Sequence, residues 1–192
     1  MVGTELLASD RMSEAEVAVR LAGFLLSLPD ATPTADVAID GAGVSVGGVQ
    51  IFALPEFLTQ LGWQQITQSG KNAWSGAYER DGKRLTIHSK SGVGDVVARV
   101  NGARIIAECK KGPLIKKPGS PEYPLLTTAI GQVLLTRAEP NDVLVAAVPD
   151  TPAFRRIAAE WRERAGIKRA GINICLVARD GTVGGLHLPV GR

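Results

Sequence analysis

The sequence predicts an α/β (α+β) fold, a mixed central sheet flanked by helices, preceded by an N-terminal helix and hairpin extension. Three observations predict it. Asp81-Gly82 and Asn101-Gly102 each lie between β-branched and apolar runs, the strongest short signal for a two-residue hairpin turn. Late in the chain, capped segments of helical periodicity alternate with short apolar runs, which indicates helices packed on a sheet. Finally, 192 residues at 45% hydrophobic and 21% charged are enough for one domain with a real core.

The elements follow in order. Ser13-Glu14-Ala15-Glu16 is a capping-box pattern, and Val17, Leu21, Phe24, Leu25 and Leu28 then share one helical face until Pro29 ends it. Residues Asp30 to Asp36 read as a loop, and DVAIDGAGVSVGGVQIF as a glycine-rich hairpin. We assign 1–52 to the extension and 53–192 to the core. The core starts with a helix at Pro55 that stops at Gly62, followed by a hairpin turning at Asp81-Gly82. A motif hairpin turns at Asn101-Gly102, with strands Asp95 to Val100 and Ala103 to Lys110. After a loop rich in proline and glycine, a helix from about Leu125 to Arg137 buries Leu126, Ile130, Val133 and Leu134. DVLVAAVP is a buried strand, and Thr151-Pro152 opens a helix with Phe154, Ile157, Ala158 and Trp161 inward and Gly166 as its stop. GINICLVARDGTVGGL supplies the last strand and a hairpin at Asp180-Gly181.

The motif hairpin carries the chemistry. If Val100 faces Ala103 across the turn, counting back places Asp95 opposite Glu108, where like charges destabilise the pair unless something positive offsets them. Period two puts Lys110 on the face of Glu108 and turns Ile105, Ala107 and Cys109 toward the core. Two carboxylates and an ammonium at the open end of one hairpin suit a divalent cation. Mg²⁺ takes one or two carboxylates, waters and a substrate phosphate. A lysine beside it can hold the water that attacks phosphorus, which is the chemistry of phosphodiester hydrolysis.

GDVVARVNGARIIAECKKG, Gly94 to Gly112, resembles the D…(D/E)xK signature of the PD-(D/E)xK, or restriction-endonuclease-like, nuclease superfamily. The resemblance spans roughly residues 54 to 180 and implies a restriction-endonuclease-like sheet. It implies Asp95 and Glu108 as ligands of Mg²⁺, for which Mn²⁺ can substitute, with the backbone carbonyl of Cys109 in the metal shell and Lys110 positioning the nucleophilic water. Gly94 stands where the literal motif has proline. Some members supply a further acid from the first core helix, here Glu56. AIGQVLLTR is similar to the helix after the motif in the RecB-like branch, where a glutamine faces the site, so Gln132 is expected to orient Lys110 or substrate; Thr136 stands where that branch has tyrosine. The implied activity is a DNA endonuclease, with RNA or nucleotides as other substrates of the same groups and a homodimer by analogy. The rival reading is an inactive nucleic-acid-binding or assembly module of the same fold.

Net charge is +3, and the basic residues cluster. Lys111, Lys116 and Lys117 follow the motif, while Arg155 and Arg156 precede Arg162, Arg164, Lys168 and Arg169 on the late helix and its exit; all are candidate phosphate contacts. Aromatic content of 5% argues against a base-stacking platform. Cys109 and Cys175 read as reduced core thiols, and two histidines leave a zinc enzyme almost no ligands. No apolar run approaches a membrane span and the N-terminus has no signal-peptide pattern, so a cytoplasmic protein with no membrane partner is expected.

Overall fold

Helix α1 (Glu14–Ser27) starts where its cap dictates: Ser13 Oγ accepts a hydrogen bond from the Glu16 N–H at 3.0 Å. In this computed structural model, which describes residues 12–46, 48–90, 92–112 and 121–189, the chain then runs directly into a strand. That strand, β1 (Ala31–Ala38), occupies the segment whose beginning reads as a loop in the sequence. It is followed by β2 (Gly43–Val46), β3 (Val49–Ala53), α2 (Leu54–Gln60), β4 (Gln64–Gln68), β5 (Gly76–Arg80) and β6 (Lys83–His88). The second half consists of β7 (Val96–Val100), β8 (Ala103–Cys109), α3 (Glu122–Leu135), β9 (Val143–Pro149), α4 (Pro152–Arg162), α5 (Ala165–Ala170), β10 (Ile172–Val177) and β11 (Val183–Gly184).

Nine strands form one mixed, mostly antiparallel sheet in the order β11-β10-β9-β8-β7-β1-β6-β5-β4, and β2-β3 is a separate hairpin. Both two-residue turns are as expected: Asp81-Gly82 joins Arg80↔Lys83, Asn101-Gly102 joins Val100↔Ala103, and all four turn residues have positive φ. The location of β1 is the main departure from the linear reading. It pairs in parallel with β6 and antiparallel with β7, so the residues assigned to an extension lie in the middle of the sheet. Pro33 hid the strand, because proline cannot donate to a ladder and argues against a central strand. It is accommodated in the irregular stretch between Ala31 and Ala35, where the β7 register shifts. Strand β4, with no buried residue, was also unread; it is an edge strand held by pairing with β5.

One face of the sheet is covered by α1, whose Val17, Leu21 and Leu25 pack in a single cluster with Val37, Leu85, Val96, Ile105, Ala107 and Cys109. The other face, over β8 to β10, is covered by α3 and α4 through Leu126, Val133, Phe154, Ile157 and Trp161. Thr151 Oγ1 accepts from the Phe154 N–H at 3.2 Å, and the four inward residues read for α4 are all buried. Two boundaries differ from expectation. α3 begins at Glu122, with Leu126, Ala129 and Val133 as its buried stripe, so Leu134, one residue and about 100° past Val133, faces outward. Gly166 lies inside α5, and Gly171, in the left-handed conformation, ends that helix. Both cysteines are free and buried. Among the described residues no helix is long and apolar enough to cross a membrane.

A chain consisting of residues 53–192 would lack α1 and β1 and leave β6 and β7 without their shared neighbour. It is expected to show no cooperative thermal transition by circular dichroism, whereas the full chain melts cooperatively; a sharp transition in the fragment would mean that the first 52 residues are dispensable to the core.

Candidate functional site

The carboxyl ends of the parallel strands β8 and β9 lie at one edge of the sheet, and Asp95 and Glu108 are gathered there. The regular β7–β8 ladder stops at Val96↔Ala107. One residue earlier, the Asp95 N–H donates to the Ala107 carbonyl at 2.8 Å and the Asp95 carbonyl accepts from the Ala38 N–H at 2.8 Å. Asp95 and Val96 thus both face Ala107, a bulge, and this replaces the direct opposition of Asp95 and Glu108 that an unbroken hairpin predicts. Gly94 makes the bulge possible. Its φ is +134°, and a Cβ there would lie 2.8 Å from Ile106 Cγ2 and 3.0 Å from the Ala107 carbonyl oxygen. Proline, fixed near −65°, does not fit this backbone, so glycine at the position follows from geometry.

The bulge turns the Asp95 carboxylate along the sheet edge. Its Oδ2 accepts the Cys109 N–H at 2.7 Å and lies 4.0 Å from Lys110 Nζ. Lys110 Nζ in turn donates to Glu14 Oε1 at 3.0 Å. Glu14 is the residue missed in the linear reading: 96 positions from Lys110, it is brought there because α1 begins at this edge. Lys110 itself is held by its N–H, which donates to the Ala147 carbonyl at 2.9 Å, and both Glu108 and Lys110 are 9% exposed.

Burial is the main electrostatic cost. It pushes the Asp95 carboxyl up to about 6, with Glu14 and Asp40 adding to the rise and the Cys109 N–H and Lys110 opposing it. Burial, with the neighbouring Asp95 charge, pushes Glu108 up to about 7. For Lys110 burial pulls the other way, but Glu14, Asp95 and Glu108 outweigh it and hold the ammonium above its ordinary value. At neutral pH the cluster therefore carries more negative charge than it can easily hold, and a divalent cation would relieve it. Among the described residues no group of three or more His, Cys, Asp or Glu is arranged to hold a metal ion. A pair of carboxylates open to water and substrate oxygens is nonetheless the donor set that Mg²⁺ commonly uses.

The other expected residues are scattered. Gln132 is exposed on α3, and because α3 returns between two parallel strands, a position ten residues beyond its start is about 15 Å further from the site edge. Glu56 is exposed on α2, which packs against β3 and α1. Lys111 is exposed beside Glu14 at the site, and Lys116 and Lys117 lie outside the described residues. Arg155 and Arg156 are exposed in the first turns of α4, just after the carboxyl end of β9, with Arg155 bound to Asp150 through both Nε and Nη2. In the rest of the basic cluster, Arg162 donates to the Ile174 carbonyl, Arg164 pairs with Glu160 and Lys168 with Glu163. Comparison with family models, curated proteins and solved structures gives no match for this chain.

Gly94→Ala is expected to lower stability by about 1–3 kcal/mol in chemical denaturation, because the left-handed backbone and the contact with Ile106 both oppose a side chain. For Glu108, a folded-state value near 7 against an ordinary 4.5 means that the native protein binds the extra proton, so this group's contribution to stability is fully present below about pH 4.5 and is lost as pH rises through 7. Glu108→Gln removes that loss. Its Tm should exceed the wild type's at pH 8, by about 2–4 °C per kcal/mol recovered, and match it at pH 4; equal Tm at both pH values would show that the carboxylate is not strained.

Proposed function

We propose that the protein is a Mg²⁺-dependent nuclease that hydrolyses phosphodiester bonds, with DNA as substrate and internal cleavage as its mode. The observation that carries this reading is the convergence of Asp95 and Glu108, their carboxyls raised to about 6 and 7, with the charged Lys110 at the carboxyl ends of parallel strands. That edge is where open α/β sheets place their ligands.

Asp95 and Glu108 would hold the cation, together with the Cys109 carbonyl, which in an extended strand points to the same neighbour as its N–H. When bound, Mg²⁺ supplies Lewis-acid polarisation of a phosphoryl oxygen and lowers the pKa of water. The chain's own groups do the rest. The Cys109 N–H holds the Asp95 carboxylate in one orientation. Lys110, kept protonated by three carboxylates, donates to a water and opposes the negative charge that builds on phosphorus oxygens; a lysine with its value raised is a poor proton acceptor, so its part is positioning and electrostatic. Glu14 holds the ammonium in place from α1. Lys111 and Arg156, exposed at the same edge, are available to flanking phosphates. Cutting both strands of a duplex needs two such sites, and association of two copies is part of this reading.

Purified protein should cut supercoiled and linear DNA with Mg²⁺ or Mn²⁺ and stop in EDTA. Lys110→Ala should lower the rate by about 10²- to 10⁴-fold, and Glu14→Gln by about 10- to 100-fold, the range for a residue that orients a catalytic group. Metal binding in calorimetry should weaken as pH falls through 7 and 6, where Glu108 and then Asp95 protonate. Metal or DNA binding with no cleavage of any nucleic acid would identify an inactive binding module, and full activity in Lys110→Ala would overturn the site assignment.

A further inference from the structure

A cavity of about 520 Å³ lies beside Glu14, between the start of α1 and the loop from β1 to β2. Its size lies within the range of about 300–1,000 Å³ that small-molecule sites occupy. Glu14 links it to the site, since the same carboxylate that lines the cavity holds Lys110 at 3.0 Å. The opposite wall is linked by backbone: the Ala38 N–H donates to the Asp95 carbonyl, and Ala38 and Asp40 both line the cavity. A substrate whose phosphate sat at Asp95 and Glu108 would therefore present its neighbouring group here.

The lining defines that group. Ala18, Ala38 and Val44 offer small apolar surface, and the polar side chains include two carboxylates, Glu14 and Asp40, against one exposed ammonium, Lys111. A phosphate inside would meet net repulsion, which leaves it to Lys111. A flat, neutral group with N–H donors fits both the apolar wall and the acceptors. Adenine, cytosine and guanine carry an exocyclic amine, whereas thymine and uracil carry none and flank their one N–H donor with carbonyl oxygens that the carboxylates repel; carboxylate acceptance from the cytosine amine is an established pairing. Resting on the phosphodiesterase reading above, we infer that this cavity receives an amine-bearing nucleobase of the nucleotide next to the phosphate that is cut, with Asp40 as its acceptor.

The test separates the cavity from the chemistry by working without turnover. Full-length protein in EDTA is titrated with deoxyadenosine, deoxycytidine and thymidine, which carry no phosphate for the metal-free carboxylates to repel, by calorimetry or NMR, and cut positions on a mixed-sequence DNA are mapped separately with Mg²⁺. Deoxyadenosine and deoxycytidine should bind about 5- to 10-fold more tightly than thymidine, the lower end of what one good base contact discriminates. Asp40→Ala should abolish that difference. Equal binding of the three nucleosides, or discrimination unchanged in Asp40→Ala, overturns the inference. Discrimination in EDTA by a protein that cuts nothing upholds the cavity and defeats the nuclease reading, while cleavage with no nucleotide preference does the reverse.

Discussion

The pairing of β1 between β6 and β7 is the constraint on which the rest of the structure depends. On one side β4, β5 and β6 form an antiparallel meander; on the other, β7 to β11 carry the motif hairpin and the parallel strands. β1 is the strand through which these two groups join, and its Ala35 and Val37 are buried in the main core. Because β1 follows α1 after only three residues, placing β1 centrally also lays α1 across the sheet. That puts the start of α1, and hence Glu14, at the edge where β8 ends.

The site is then a consequence of backbone geometry as much as of side-chain choice. Gly94 permits the bulge, and the bulge leaves the Asp95 carboxylate to satisfy the Cys109 N–H at the end of β8. Burying Asp95 and Glu108 together raises both carboxyls, and Lys110 offsets them only in part because Glu14 shares it. A core selected for stability alone has no physical reason to retain such a cluster, since burying like charges costs free energy that apolar residues would not. The excess of negative charge favours a cation at the same point where the parallel strands open to solvent.

Local signals in the chain were reliable wherever the physics is local. Ser13 and Thr151 cap their helices through a hydroxyl reaching a backbone N–H three residues on, and the two hairpin turns need the positive φ that asparagine, aspartate and glycine accept. The inward faces of α4 and β8 follow from periods of 3.6 and two. What could not be read was any element whose identity rests on a distant partner. β1 contains a proline and β4 lacks apolar alternation, so each becomes a strand only because a neighbour offers a ladder. The outward turn of Leu134 likewise reflects which face α3 presents to the sheet, and nothing within the helix specifies that.

By itself the sequence determined the motif hairpin, its turn, and the nearness of Asp95, Glu108 and Lys110, because the sixteen residues from Asp95 to Lys110, closed by a tight turn, leave few other arrangements. Tertiary structure alone decided that Glu14 completes the cluster, that Gln132 and Glu56 lie elsewhere, and that Arg162, Arg164 and Lys168 are engaged by Ile174, Glu160 and Glu163. The physical reason is range. Turn and cap preferences act over three or four residues, whereas strand order and helix direction are set by burying apolar surface across the whole chain, and it is these that carry residue 14 to residue 110.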